Sequence, residues 1–335
     1  MVRPPLTRRA FALGGLGAAA LAGCAIEEGE VRRTPPDAAN AVLRPWLSIT
    51  GGWRLDSASP LLPQLQRPAG ARTNFIQPVG VAARNDIVLV ADAGARTIWR
   101  YDRVRDGVAP FVNFTGSVPE AGASLQLGND FSAWVAQPAE HVVVQYDLRG
   151  QPVRRWGSEF DAPRPVAVVV PEDRSEILVG DAATARVLVF DPLGRAREVL
   201  GGTHPALLQS VTAMALGPGG LYVLDRLAQQ VVVLDRRGVP VDVIGEHELV
   251  QPRALAVDAS GRVFVSDEME QRIKVFRDGK LLTSFGGTGN APGRFGRIEA
   301  MALDGNLLYV ADSLNARVEV LLVSPPSMET PEAPR

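Results

Sequence analysis

The chain of 335 residues holds a single cysteine, Cys24. Everything beyond it is therefore without a disulfide framework or a thiolate metal site, whatever the compartment. Lysine is almost missing. Lys274 and Lys280 stand alone among 35 basic residues and the rest are arginine, which reads as codon usage rather than chemistry. Histidine is confined to His141, His204 and His247, and aromatic residues make up 6%. An excess of positive charge is also lacking. The formal charge is −2, and setting aside Arg3, Arg8 and Arg9 of the first 23 residues takes it to −5. A mildly acidic body is the wrong sign for a nucleic-acid surface, so no nucleic-acid partner is expected. No Gly-x-Ser-x-Gly elbow, phosphate loop or Cys/His metal spacing occurs.

What is plentiful is apolar residue (46%), with 33 Gly and 26 Pro, a composition that supports a large core cut by many turns. Length alone would suggest two domains, but all-β folds of this size are often one unit.

Residues 1–23 read as a secretory signal. A basic start with Arg8 and Arg9 leads into the apolar run Phe11 to Leu21, too short to span a bilayer. Thr7-Arg8-Arg9-Ala10-Phe11-Ala12-Leu13 resembles the twin-arginine export motif. Leu21-Ala22-Gly23-Cys24 resembles the lipobox of bacterial lipoproteins, which implies acylation of Cys24 as the first mature residue. The plainer alternative is a general secretory signal with incidental arginines and cysteine. Under the lipoprotein reading the protein is held on the periplasmic side of a membrane by several acyl chains, an effectively permanent anchor. Ala25 in place of Asp implies the outer membrane if the cell is Gram-negative. Residues 24–43, acidic and then Pro-rich, read as a flexible tether, and residues 324–335 as a disordered tail.

The body carries an internal repeat. An apolar run ending in Asp is followed, five residues on, by a second apolar run. The marker positions are Asp92, Gln137, Asp181, Asp225, Asp267 and Asp312, spaced 45, 44, 44, 42 and 45 residues apart. Gln137 marks a degenerate second copy. Each copy holds four short β-rich runs separated by turn signals such as Asp258-Ala259-Ser260-Gly261. Four strands at this period predict a propeller blade. The expected fold is thus all-β, a single six-bladed β-propeller of four-stranded blades over residues 44–323. Its last blade lacks an outer strand, and Leu47-Ser48-Ile49-Thr50-Gly51-Gly52 matches Leu282-Thr283-Ser284-Phe285-Gly286-Gly287 well enough to supply one from the N-terminus.

The pattern Pro252 to Asp258, Val263 to Asp267 and Arg272 to Phe276 resembles an NHL repeat. That resemblance implies an Asp closing the second strand and an Arg opening the third. Here these are Asp181 with Arg186, Asp267 with Arg272, and Asp312 with Arg317. Asp92 faces Thr97 and Asp225 faces Gln230 instead. A residue type repeated in most blades points to a structural tie through charge-assisted hydrogen bonds rather than to one site.

Aligning the copies places Val79, Ser124, Val166, Thr212, Arg253 and Glu299 at the channel mouth, with Arg253 and Glu299 expected to pair. A calcium site like that of the lactonase and paraoxonase propellers needs more carboxylate or amide oxygens than Glu299 alone. A zinc site like that of the peptide-amidating lyases needs histidines at equivalent positions, which these three are not. No metal and no cofactor are expected. Gln77, Arg164, His247, Arg253, Arg294, Arg297 and Glu299 are the candidates for a binding face, with Phe75, Phe160 and Phe295 either joining them or plugging gaps between blades. The leading expectation is a monomeric, lipid-anchored binding or scaffold propeller that engages a protein partner or envelope component. A metal-assisted hydrolase or lyase at the mouth, or a small-molecule or saccharide sensor, are the alternatives.

Overall fold

Every repeat marker ends the second strand of one four-stranded sheet, and the six sheets are the six blades. The computed structural model describes residues 41–55, 68–117, 119–120, 122–157, 164–200 and 208–326. The signal, Cys24, most of the tether, His204, Phe160 and the end of the tail lie outside the described residues. The innermost strands, which line the channel, are Pro78–Arg84, Leu125–Leu127, Pro165–Val169, Ala213–Gly217, Pro252–Val257 and Ile298–Asp304.

The second and third strands of each blade read as unbroken apolar runs because both of their faces are covered. Side chains alternate across a strand, and each blade presses one face on each neighbour. In the second strand of blade 1, Val88 and Val90 point into the core shared with blade 6, while Leu89 and Ala91 point into the core shared with blade 2. Six such apolar clusters are found among the described residues, one for each blade interface. The core is thus a ring of inter-blade layers built mainly from the inner three strands of each blade, and the outermost strands of blades 2, 3 and 4 are largely exposed.

The ring closes as a clasp. Leu43–Ile49 pairs antiparallel with the last strand, Arg317–Val323, with Leu43 opposite Val323 and Ile49 opposite Val318. Val42 accepts the Ser324 amide at 2.9 Å, and Ala41 accepts the Ser324 hydroxyl at 2.7 Å. The ordered ring therefore takes in residues 41–43 and Ser324, beyond the limits of 44 and 323 set by the repeat.

Two details differ from the expectation. The clasp strand is Leu43–Ile49 rather than Leu47 to Gly52, because the backbone turns at Gly51 (φ 145°). A Cβ at Gly51 would sit 2.0 Å from the Thr73 carbonyl oxygen, so only glycine allows this crossing from blade 6 to blade 1. Beyond it, Gly51–Leu55 and Pro68–Asn74 form a hairpin on the outside of blade 1, making that sheet six-stranded. The hairpin joins the blade through a short parallel contact in which Trp53 faces Gly107.

The repeated aspartates are fully buried, but arginine is not their common partner. Asp92 accepts the amides of Ile76, Gln77 and Ala95 at 2.8–3.0 Å. Asp225 does the same for Gln209, Ser210 and Ala228, and Asp267 for Val250, Gln251 and Met269. Each carboxylate thus pins the loop entering its blade to the turn between the second and third strands. Only Asp312 meets its arginine, with Arg317 Nε at 3.1 Å. Arg186 and Arg272 are opposite Asp181 and Asp267 in backbone register, yet their side chains are exposed and make no ion pair with them. In blade 5 Lys274 reaches Asp267 instead, at 3.1 Å.

Candidate functional site

The loops pinned by these aspartates gather at one end of the channel and form its mouth. There Arg253 and Glu299, on adjacent innermost strands, are joined by two bonds, Nε at 2.6 Å and Nη2 at 2.5 Å from the same carboxylate oxygen. Glu299 is buried (1% exposed) and Arg253 nearly so (11%). Arg297 reaches the other oxygen of Glu299 at 3.2 Å. Glu268 then ties three blades together: Arg226 at 2.9 Å, Arg253 at 3.3 Å and Arg297 at 3.1 Å. Three guanidiniums share two carboxylates, so the cluster carries one uncompensated positive charge. Buried carboxylates with this many charge-assisted bonds are held in place rather than free to react.

Below the mouth the channel is narrow and faced with small apolar side chains, including Ala82, Ala213, Ala254 and Ala300, around a volume of about 530 Å³. Its far end is crossed by an Arg84–Glu172 ion pair at 3.0 Å. Between blades 2 and 3, Gln126 replaces a strand partner. Its amide nitrogen donates to the Val170 carbonyl and its oxygen accepts the Val170 amide, both at 2.5 Å. Ser124 Oγ accepts the Val168 amide at 3.1 Å. The innermost strand of blade 2 has only three residues, and these side chains make up the lost pairing.

No protein-family model matches the chain, and no curated protein matches it. Solved structures do. A selenomethionine-substituted virginiamycin B lyase from Staphylococcus aureus aligns over 71% of this chain and 78% of its own, with 12% identity and a TM-score of 0.52. A streptogramin B lyase aligns over 75% and 94%, with 10% identity and a TM-score of 0.57. A protein of unknown function from Bacteroides thetaiotaomicron aligns over 77% and 71%, with 16% identity and a TM-score of 0.59. What is shared is the fold. At these identities it carries no chemistry across.

The sequence-derived candidates divide. Arg253, Arg297 and Glu299 meet at the mouth, and Arg164 lies on its rim, 3.5 Å from Glu120. Gln77 is exposed, and its backbone serves the Asp92 tie. His247 sits exposed in a left-handed turn (φ 66°) on the loop entering blade 5, outside the arginine cluster. Arg294 bonds the Gly286 carbonyl at 2.8 Å and is part of the long loop between blades 5 and 6. Phe75 and Phe295 do not contribute an aromatic surface. Both are buried in inter-blade cores, where Phe295 stacks edge-on with Phe285. Among the described residues, no three of His, Cys, Asp or Glu are grouped closely enough to hold a metal ion.

Two sets of residues at this end were missed, and the aligned repeat contains the signal for both. The residue after the marker runs Ala93, Pro138, Ala182, Arg226, Glu268, Ser313 around the ring, so charge appears only on blades 4 and 5. The next position runs Gly94, Ala139, Ala183, Leu227, Met269, Leu314, small on three blades and large on three. Leu227 and Leu314 are each 69% exposed and Met269 62%. Ile76 (60%) and Val250 (44%), on the loops entering blades 1 and 5, add to them. Ile76 lies over Gly94 and Leu314 over Gly296, so in those blades a glycine in one loop makes room for the large residue of the other.

Proposed function

We propose that the protein is a binding propeller that engages a protein partner, or another component of the cell envelope, through this loop face, tethered to a membrane by an acylated Cys24. The observation that carries the reading is the crescent of exposed Leu227, Val250, Met269, Leu314 and Ile76 on blades 4, 5, 6 and 1. Large apolar side chains grouped in the open mark an interaction surface, and the arginines beside them are of the type enriched at hot spots. The loops that hold them are pinned from below by Asp92, Asp225, Asp267 and Asp312, and the Arg226–Glu268–Arg297 bridge links blades 4, 5 and 6. Such a surface is pre-organised and loses little freedom on docking. The channel itself contributes position rather than chemistry in this reading, since the two mouth carboxylates are each committed to arginines.

The test uses the full chain with Leu227, Met269 and Leu314 all changed to Glu. In the cells that make it, chemical cross-linking should join the parent protein to a discrete partner and leave the triple variant free, with equal amounts of folded protein. A partner cross-linked equally to both would refute the reading.

A further inference from the structure

The opposite side of the mouth, toward blades 2, 3 and 4, holds a cleft of about 500 Å³ that the docking crescent does not use. Arg164, Arg226 and Arg253 line it, with Thr212 between them, against the single carboxylate of Glu120. Polar groups make up much of its lining, with Val166, Ala182 and Gly122 between them. We propose that this cleft binds a small organic anion, an oxyanion head (carboxylate or phosphate) on a compact apolar body.

Three features of the site point to that chemistry. The cluster behind the cleft keeps one positive charge in excess, because Glu268 and Glu299 neutralise only two of Arg226, Arg253 and Arg297. Arg253 is engaged through all three nitrogens, Nε and Nη2 by Glu299 and Nη1 by Glu268, so its position is fixed before any ligand arrives. Arg226 and Arg164 are only lightly engaged. Arg226 spends one N–H on Glu268, and Arg164 makes one long contact of 3.5 Å with Glu120, so most of their donors are left for a ligand. A guanidinium fork facing a part-desolvated cleft is the usual means of recognising a planar or tetrahedral oxyanion. The size of the cleft, about 500 Å³, leaves room beyond the head for a compact body, which would lie against Val166 and Ala182.

The site also accounts for the asymmetry of the ring. The residues after the marker on blades 2 and 3 are Pro138 and Ala182, both of which line the cleft. Large side chains there would fill it. Blades 4 and 5 supply charge at the same repeat position through Arg226 and Glu268.

The experiment is isothermal titration calorimetry of the purified full chain in detergent at low ionic strength, with benzoate, phenyl phosphate and benzyl alcohol as probes. One saturable site is expected for at least one of the two anions, with a Kd of about 1 mM or tighter. Benzyl alcohol should give no saturable heat, and the anion affinity should fall as salt rises. Arg226→Ala should weaken anion binding by about tenfold or more, and Thr212→Val by less. Arg226→Lys, which keeps the charge and loses the fork, should fall between parent and Arg226→Ala. The triple glutamate variant of the crescent is expected to keep saturable anion binding, which separates this site from the docking face. Benzoate against phenyl phosphate tells a carboxylate site from a phosphate site. The proposal is overturned if neither anion binds at about 10 mM, if benzyl alcohol binds as well as they do, or if Arg226→Ala and Thr212→Val both bind like the parent.

Discussion

Blades 4, 5, 6 and 1 present large exposed residues on their loops, whereas blades 2 and 3 present small ones. The marker does not divide them in the same way: it is a buried Asp pinning two loops in every blade but the second, Asp181 of blade 3 included through the Arg164 and Thr184 amides. In blade 2 the marker is Gln137, which bonds the Tyr146 hydroxyl at 2.8 Å, and the innermost strand shrinks to Leu125–Leu127. Besides the apolar core between them, side-chain bridges join blade 2 to blade 3: Gln126 and Ser124 on the channel side, and Arg174 gripping Asp130 while stacking on Trp134 at 5.2 Å. The contrast teaches that polar side chains can reinforce the contact between two blades where one innermost strand is short, and that the positions past the marker there are small. Blades 4, 5, 6 and 1 present a docking surface. Blades 2 and 3 leave a cleft.

Four perturbations test this contrast, starting with the largest effect. Deleting residues 44–53 removes the clasp strand of blade 6 and opens the edge of Arg317–Val323, with loss of cooperative folding expected by circular dichroism and thermal unfolding. A soluble truncation with parental unfolding would break the claim that the clasp closes the ring. Next, Asp312→Ala leaves the Gly296 and Arg297 amides and the Arg317 guanidinium without their acceptor. It should cost about 3 kcal/mol or more in denaturant unfolding. Gln137→Ala at the equivalent point of blade 2 removes one neutral bond and should cost about 1 kcal/mol. Equal costs would erase the distinction between blade 2 and the others.

The third perturbation is pH. Burial, working against the Ser48 hydroxyl and Arg317, pushes the Glu319 carboxyl above its ordinary range. Because its folded-state pKa is raised, its contribution is fully present below the unfolded value and is lost as pH rises through the folded one. Relative to Glu319→Gln, the parent should therefore gain stability as pH falls toward 4.5. Asp267 works the other way. Burial opposes its charge, but the Val250 amide and Lys274 outweigh burial and hold its carboxyl below the usual range. Its contribution is present at neutral pH and lost on acidification through that lowered value, so Asp267→Asn should flatten the acid limb of the unfolding curve. The smallest effect is expected on the loop face itself. Met269→Glu and Leu314→Glu should each change stability by less than about 0.5 kcal/mol, as for exposed positions without packing roles.

The fold was legible because the second and third strands of each blade are covered on both faces, which turns them into apolar runs at a period near 44 residues, each copy ending its second strand on a marker. The clasp was legible from one matching hexad, although its register shifts toward Leu43 because Gly51 is a turn. The added hairpin was not. Pro68–Asn74 (PAGARTN) is polar and glycine-containing, held by its edge position rather than by an apolar pattern. At the mouth, the Arg253–Glu299 pairing followed from the alignment of the copies. Arg226 and Glu268 escaped notice because they lie on turns between second and third strands, and they meet only because adjacent blades bring together positions 42 residues apart. The phenylalanines misled for the opposite reason. Their loop position suggested a surface, but the tied loops fold them into the cores between blades.

The most direct test places a photo-reactive amino acid at the six equivalent positions 94, 139, 183, 227, 269 and 314 of the full chain, one at a time, and maps cross-links in intact cells. Discrete adducts at 227, 269 and 314, with none at 139 and 183, are the predicted result. Adducts spread evenly around the ring, or confined to blades 2 and 3, would contradict the assignment of the binding face to blades 4, 5 and 6 and the adjoining loop of blade 1.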